Sequence, residues 1–214
     1  YYGYVASVLT PHLTGDSPQH AAVALRLAYA QALETFFALL GAAIQAPRCA
    51  VGWVLLYQND DLSWLVRCLS DGTPVHTLLR DRATTWAALS EAILSGVVDD
   101  GNAEAIQRAK AAFAGLWRQF AVDFLDEHAR LEYNSLKHGL RVRAGGLHVQ
   151  VAPGDEAGAP PSAEAFETLA KSDFGGGFYS KHFIEGDTKP KSNVYLRHHY
   201  RSWAPEHLAS GLHL

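Results

Sequence analysis

The sequence has no methionine and only two cysteines, Cys49 and Cys68, in 214 residues. Neither cysteine has the CxxC or Cys/His spacing of a zinc site, and both fall in stretches that read as apolar helix, so they are expected to be reduced core thiols. The lack of methionine even at position 1 raises the expectation of a fragment or of missing residues. Positive charge is also in short supply. Eighteen Lys and Arg face 22 Asp and Glu, for a formal net charge of −4, which argues against a protein that coats nucleic acid by bulk electrostatics and leaves room for a local basic patch. No apolar run in this reading reaches the roughly 18 residues that span a bilayer. The opening "YYGYVASVLTPHLTGDS" lacks the basic-then-apolar build of a signal peptide, so a soluble cytoplasmic chain with no membrane partner is expected. No internal repeat is found.

What is present is mostly helical pattern, enough for one fair-sized core. "SPQHAAVALRLAYAQALETFFALLGAAIQ", residues 17–45, is rich in Ala and Leu behind a Ser-Pro start, which suits a cap and a first-turn proline. Residues 49–69 form one helix or two short ones, broken at "QNDD", and "DGTP" at 71–74 is a turn. Residues 84–94 read as a helix capped at Thr84 or Thr85 and stopped by Gly96. From Ala103 to His138 one long helix is expected, with Ile106, Phe113, Trp117, Phe120, Phe124 and Leu131 as its core stripe. Val122, Leu125, Ala129 and Leu136 make a second apolar face, which places this helix at the centre of a bundle.

After Gly139 the period becomes alternating. Leu140 and Val142, an Ala-Gly-Gly turn, then Leu147, Val149 and Val151 predict a β-hairpin. Residues 152–164 have loop composition, "DFGGGFY" holds a glycine turn, and "NVYLRHHYRSW" is a strand. The expected fold class is mainly α: a helical bundle over 17–140 and a C-terminal extension over 141–214 that contains a β-hairpin and packs on the bundle.

The candidate site lies in "RLEYNSLKHGLRVRAG", residues 130–145. At roughly 100° per residue, Glu127, Arg130, Asn134 and His138 share one strip of the central helix beside its core stripe, and Arg141 would extend it. A carboxylate, a guanidinium, an amide and an imidazole in one line can bind or cleave a phosphodiester, with imidazole as acid or base, Arg on the phosphate charge and Asn as positioning group. A plainer account competes with this. Lys137 and His138 suit the negative end of the helix dipole and Gly139 is a common left-handed cap, so "KHG" is also an ordinary stop signal, and Asn134 would then bond a neighbouring helix.

"YNSLKHG" resembles the motif helix of the HEPN superfamily, helical bundles of prokaryotic defence, toxin–antitoxin and RNA-processing systems. Their motif is an Arg, four to six residues, then a His, often with a polar residue directly after the Arg. Asn134 and His138 match the polar residue and the His, while Tyr133 stands at the Arg position. The resemblance covers roughly residues 17–140. It implies RNA as partner, a metal-independent endoribonuclease with no cofactor, and a homodimer formed where two motif helices meet. On it His138 and Asn134 are catalytic; Arg130 joins them from the helical strip and not from the family pattern, and Glu127, Tyr133, Lys137 and Arg141 are the expected substrate-binding residues. Two alternatives stay open. One is a non-catalytic binding or sensing helical module. The other is an ATP-binding domain like those of histidine kinases and the Hsp90 chaperone, which "NSLKHG" before a hairpin also resembles; there Asn134 would hold Mg²⁺, and Asp173, in an Asp-x-Gly-x-Gly box with Gly175 and Gly177, the adenine amino group.

The remaining polar clusters are weaker. His198 and His199 are adjacent and face opposite sides of a strand, so no metal site is assigned. "RHHYRSW" would stack bases on Tyr200 or Trp203 and meet phosphates through Arg197 and Arg201, or serve as plain surface and core.

Overall fold

The computed structural model describes residues 1–75, 85–96, 102–139, 141–152, 162–183 and 194–214. The chain is mainly helical, with a small antiparallel strand set toward the C-terminus. The helices are α1 (Tyr2–Leu9), α2 (Pro18–Gln45), α3 (Ala50–Leu56), α4 (Asn59–Asp71), α5 (Trp86–Leu94), α6 (Ala103–Leu125), α7 (Glu127–Lys137) and α8 (Pro205–His213). The strands are β1 (Val142–Ala144), β2 (Leu147–Val151), β3 (Glu167–Ser172), β4 (Gly175–Phe183) and β5 (Val194–Ser202). Contacts gather into two compact units: Tyr1–Tyr29 with Leu131–Leu214, and Ala30–Arg130.

The Ala30–Arg130 unit is built as the apolar pattern requires. Phe37, Leu40 and Ile44 of α2, Leu62, Leu65, Val66 and Leu69 of α4, Trp86 and Leu89 of α5, and Trp117 and Ala121 of α6 form one buried cluster. Each such Leu or Phe contributes about 1.5–3 kcal/mol on burial. Local chemistry sets the helix ends. Gln58 and Asp61 make a capping box at the start of α4, and Gly72, at φ 71, closes that helix in the left-handed region. The Thr85 hydroxyl accepts from Ala88 N at 3.2 Å at the start of α5.

Three expectations about this unit are corrected. The long helix over 103–138 is two helices, because Asp126 is extended (φ −63, ψ 115) and its carboxylate accepts from His128 N at 2.9 Å, an N-cap that starts α7. Val122, assigned to an apolar face, is 60 % exposed. Cys68 is a buried free thiol as expected, but Cys49 is exposed at the head of α3.

Helix α2 passes from one unit to the other and corrects a fourth expectation. It is long and apolar enough, by length and composition, to cross a membrane, with a mean hydropathy of 1.5 over its best window. The core helix of a soluble protein passes the same test, and half of that window is buried.

In the other unit, β1, β4 and β5 form an antiparallel sheet in the order β1-β4-β5, and β2 pairs with β3 in a second sheet. The C-terminal part therefore does contain consecutive antiparallel strands, but not the expected hairpin over 140–151. Val142 pairs with Phe178 and Ala144 with Gly176, whereas Leu147 pairs with Ser172. Gly145 and Gly146 hand the chain from one sheet to the other: Gly145 N donates to Gly175 O at 3.0 Å, and a Cβ on Gly146 would meet Ser172 O at 2.5 Å. Leu140 and residues 153–161 of the expected loop lie outside the described residues.

Gly175–Gly177, expected as a turn, begin strand β4. Added Cβ atoms there would strike the Tyr200 hydroxyl, the Trp203 indole and the His198 imidazole in turn, so these glycines serve close approach of side chains. Helices α1 and α8, which the sequence reading did not assign, pack on each other and bury Ala6, Leu208, Ala209 and Leu212.

Candidate functional site

Helix α7 has two faces of opposite chemistry. Ala129, Glu132, Ser135 and Leu136 are buried, at steps of three, three and one. Glu127, Arg130, Asn134, Lys137 and His138 are exposed. The strip drawn from the sequence is thus the outward strip, while Ala129, Glu132, Ser135 and Leu136 turn inward.

On the outward face, Arg130 Nη2 lies 4.0 Å from Glu127 Oε1 one turn earlier, with both side chains more than half exposed. Such a pair is worth little to stability and leaves the guanidinium accessible. Asn134 follows four residues after Arg130 and His138 four after Asn134, the spacing at which helical side chains become neighbours. His138 stands just past the last turn of α7, where Gly139 takes φ 65 and its N–H donates to Leu136 O at 3.0 Å. The helix stop and the exposed strip therefore coexist. The plainer role for Asn134, bonding to a neighbouring helix, would need an inward side chain, and Asn134 points out.

Tyr133 is half-buried, and the Lys137 ammonium sits 4.1 Å from the centre of its ring. This cation–π contact holds a positive charge above the Tyr133 ring. Arg141 is exposed at the turn before β1.

The inward face holds residues that the sequence reading missed. Glu132 is 1 % exposed and accepts from Arg26 Nε at 2.9 Å, with Arg26 Nη2 at 2.7 Å, and from the Trp203 indole N–H. Arg201 Nε lies 3.8 Å away. A buried carboxylate is tolerable only with such partners. One signal did exist: Arg26 is the lone charge in the apolar stretch 21–33, and Glu132 stands between the apolar positions Ala129 and Leu136 of α7.

A second missed cluster lies on one face of the β4–β5 pair. The Ser180 hydroxyl is 2.7 Å from His182 Nε2 and 2.5 Å from His199 Nε2. His199 stacks on Phe178 and His182 on Tyr195. A hydroxyl has one proton to give, so at least one of these imidazoles carries its own proton on Nε2. Strand alternation sends His198 to the opposite face, as expected.

The basic-aromatic strand is mostly spent on structure. Trp203 is buried on Glu132. The Tyr200 hydroxyl donates to Gly145 O at 2.6 Å, and burial pushes its pKa above the ordinary 10.0. Arg197 remains exposed. Gly175 and Gly177, which the ATP-binding resemblance would use, lie in β4 under Tyr200 and His198. No group of three or more His, Cys, Asp or Glu that could hold a metal occurs among the described residues.

Comparison with protein-family models, with curated proteins and with solved structures finds no match to this chain.

Proposed function

We propose that the chain is an RNA-directed, HEPN-like protein and that the outward face of α7 cleaves RNA without a metal ion. His138 takes the proton of a 2′-hydroxyl, the 2′-oxygen bonds to phosphorus, and the bond to the 5′-oxygen breaks. The leaving 5′-oxygen receives its proton from the His138 imidazolium of a second copy, which the resemblance brings to the same site. Asn134 positions the phosphate. Arg130, Lys137 and Arg141 offset the charge that develops on its oxygens, and the Tyr133 ring carries the Lys137 ammonium.

One observation carries this reading: Arg130, Asn134 and His138 are all exposed, while the residues of α7 between them that turn inward are buried. A helix that needed only a wet face and a stop would not require an amide and an imidazole in register with a guanidinium.

The test is incubation of the full chain with single-stranded RNA in EDTA, followed by analysis of product ends. Fragments with 2′,3′-cyclic phosphate and 5′-hydroxyl ends are expected, with His138→Ala slower by about 10²–10⁴-fold. RNA binding without cleavage would move the reading to a non-catalytic module, and neither binding nor cleavage would remove it.

A further inference from the structure

The Ala30–Arg130 unit holds a cleft of about 350 Å³ lined by Gln45, Trp53, Leu56, Tyr57, Asp61, Trp64 and Leu65, at the small end of the roughly 300–1,000 Å³ that ligand pockets span. Its aromatic wall is fixed in place. The Trp53 indole N–H donates to Gln45 Oε1 at 2.9 Å, and its ring stacks on Tyr57 at 5.3 Å and 16°. The same indole presses so close to α2 that a Cβ on Gly41 would meet it at 2.5 Å. Only glycine at 41 allows that seat. Trp64, opposite in character, is 52 % exposed, so its ring is accessible to a ligand in the cleft.

The charge of the cleft has one sign. Among the described residues Asp61 is its only ionisable lining residue besides Tyr57, and no Lys, Arg or His lines it. Glu34 lies near enough to the Tyr57 hydroxyl to raise its pKa further, after burial. Aromatic faces and carboxylates together attract a cation that sheds its water easily, which describes an alkylated ammonium better than a metal ion or a bare amine.

We propose that this cleft binds a small alkylammonium ion, with the alkylated head against the Trp64 and Tyr57 rings and its charge toward Asp61. The site is separate from α7 and stands whether or not the chain acts on RNA.

The experiment is calorimetric and tryptophan-fluorescence titration of the full chain with choline and with its neutral isostere, 3,3-dimethylbutan-1-ol. Saturable choline binding is expected, at least tenfold tighter than the alcohol. Asp61→Asn, which keeps an acceptor for the Gln58 N–H, should remove that preference and leave alcohol binding unchanged. Trp64→Ala, at an exposed position, should weaken both ligands at least tenfold with the melting temperature retained. Equal affinity for choline and the alcohol, or no saturation by choline, overturns the proposal.

Discussion

The two faces of α7 use the same residue types to opposite ends. Inward, Glu132 and Arg26 pair with each other, and Glu132 also accepts from the Trp203 indole N–H. Outward, Glu127 and Arg130 sit 4.0 Å apart in water, and Asn134 and His138 stand exposed. Burial decides what a charge is worth. An ion pair in solvent contributes about a few tenths of a kcal/mol, whereas a buried charge left without its partner is among the most destabilising changes a fold can suffer. The inward face is thus read as architecture and the outward face as a surface free to do chemistry.

That contrast can be broken at several strengths. Glu132→Ala strands the buried Arg26 guanidinium and should lower unfolding free energy in urea by about 3–5 kcal/mol; a loss under 1 kcal/mol would mean that water reaches Arg26 and that the inward face is not sealed. Gly176→Ala places a Cβ 2.9 Å from Trp203 Cζ2, the ring that donates to Glu132, and should cost about 1–3 kcal/mol by overpacking. Thr85→Ala removes the α5 cap and should cost about 1 kcal/mol. Asn134→Ala on the outward face should change stability by less than about 0.5 kcal/mol, and a larger loss would return Asn134 to a structural role.

The parts of the fold that the sequence made legible are those set by local chemistry. Ser-Pro at the start of α2, Thr85 at α5 and Gly139 after α7 each act within a turn of where they stand, so their residue types announce them. Asp126 acts locally too, yet it was hidden by apolar spacing that runs through it without a break. What could not be read is pairing at long range. Arg26 and Glu132 are 106 residues apart, and β1 finds β4 rather than β2 because Gly145 and Gly146 pass the chain between sheets instead of reversing it. Ser180 with His182 and His199 was missed for the same reason, since the strand register that assembles them is invisible until both strands are placed. The exposed strip of Glu127, Arg130 and Asn134 was legible because it lies on one helix, where spacing alone fixes which side chains are neighbours.

The central claim, that the outward face of α7 is a site of RNA chemistry, is tested most directly by one paired measurement on His138→Ala: the rate of RNA cleavage in EDTA and the unfolding free energy of the same preparation. The account predicts cleavage at least 100-fold slower than the parent chain with stability changed by less than about 0.5 kcal/mol. Equal cleavage rates, or a rate that falls only in step with lost stability, would contradict it.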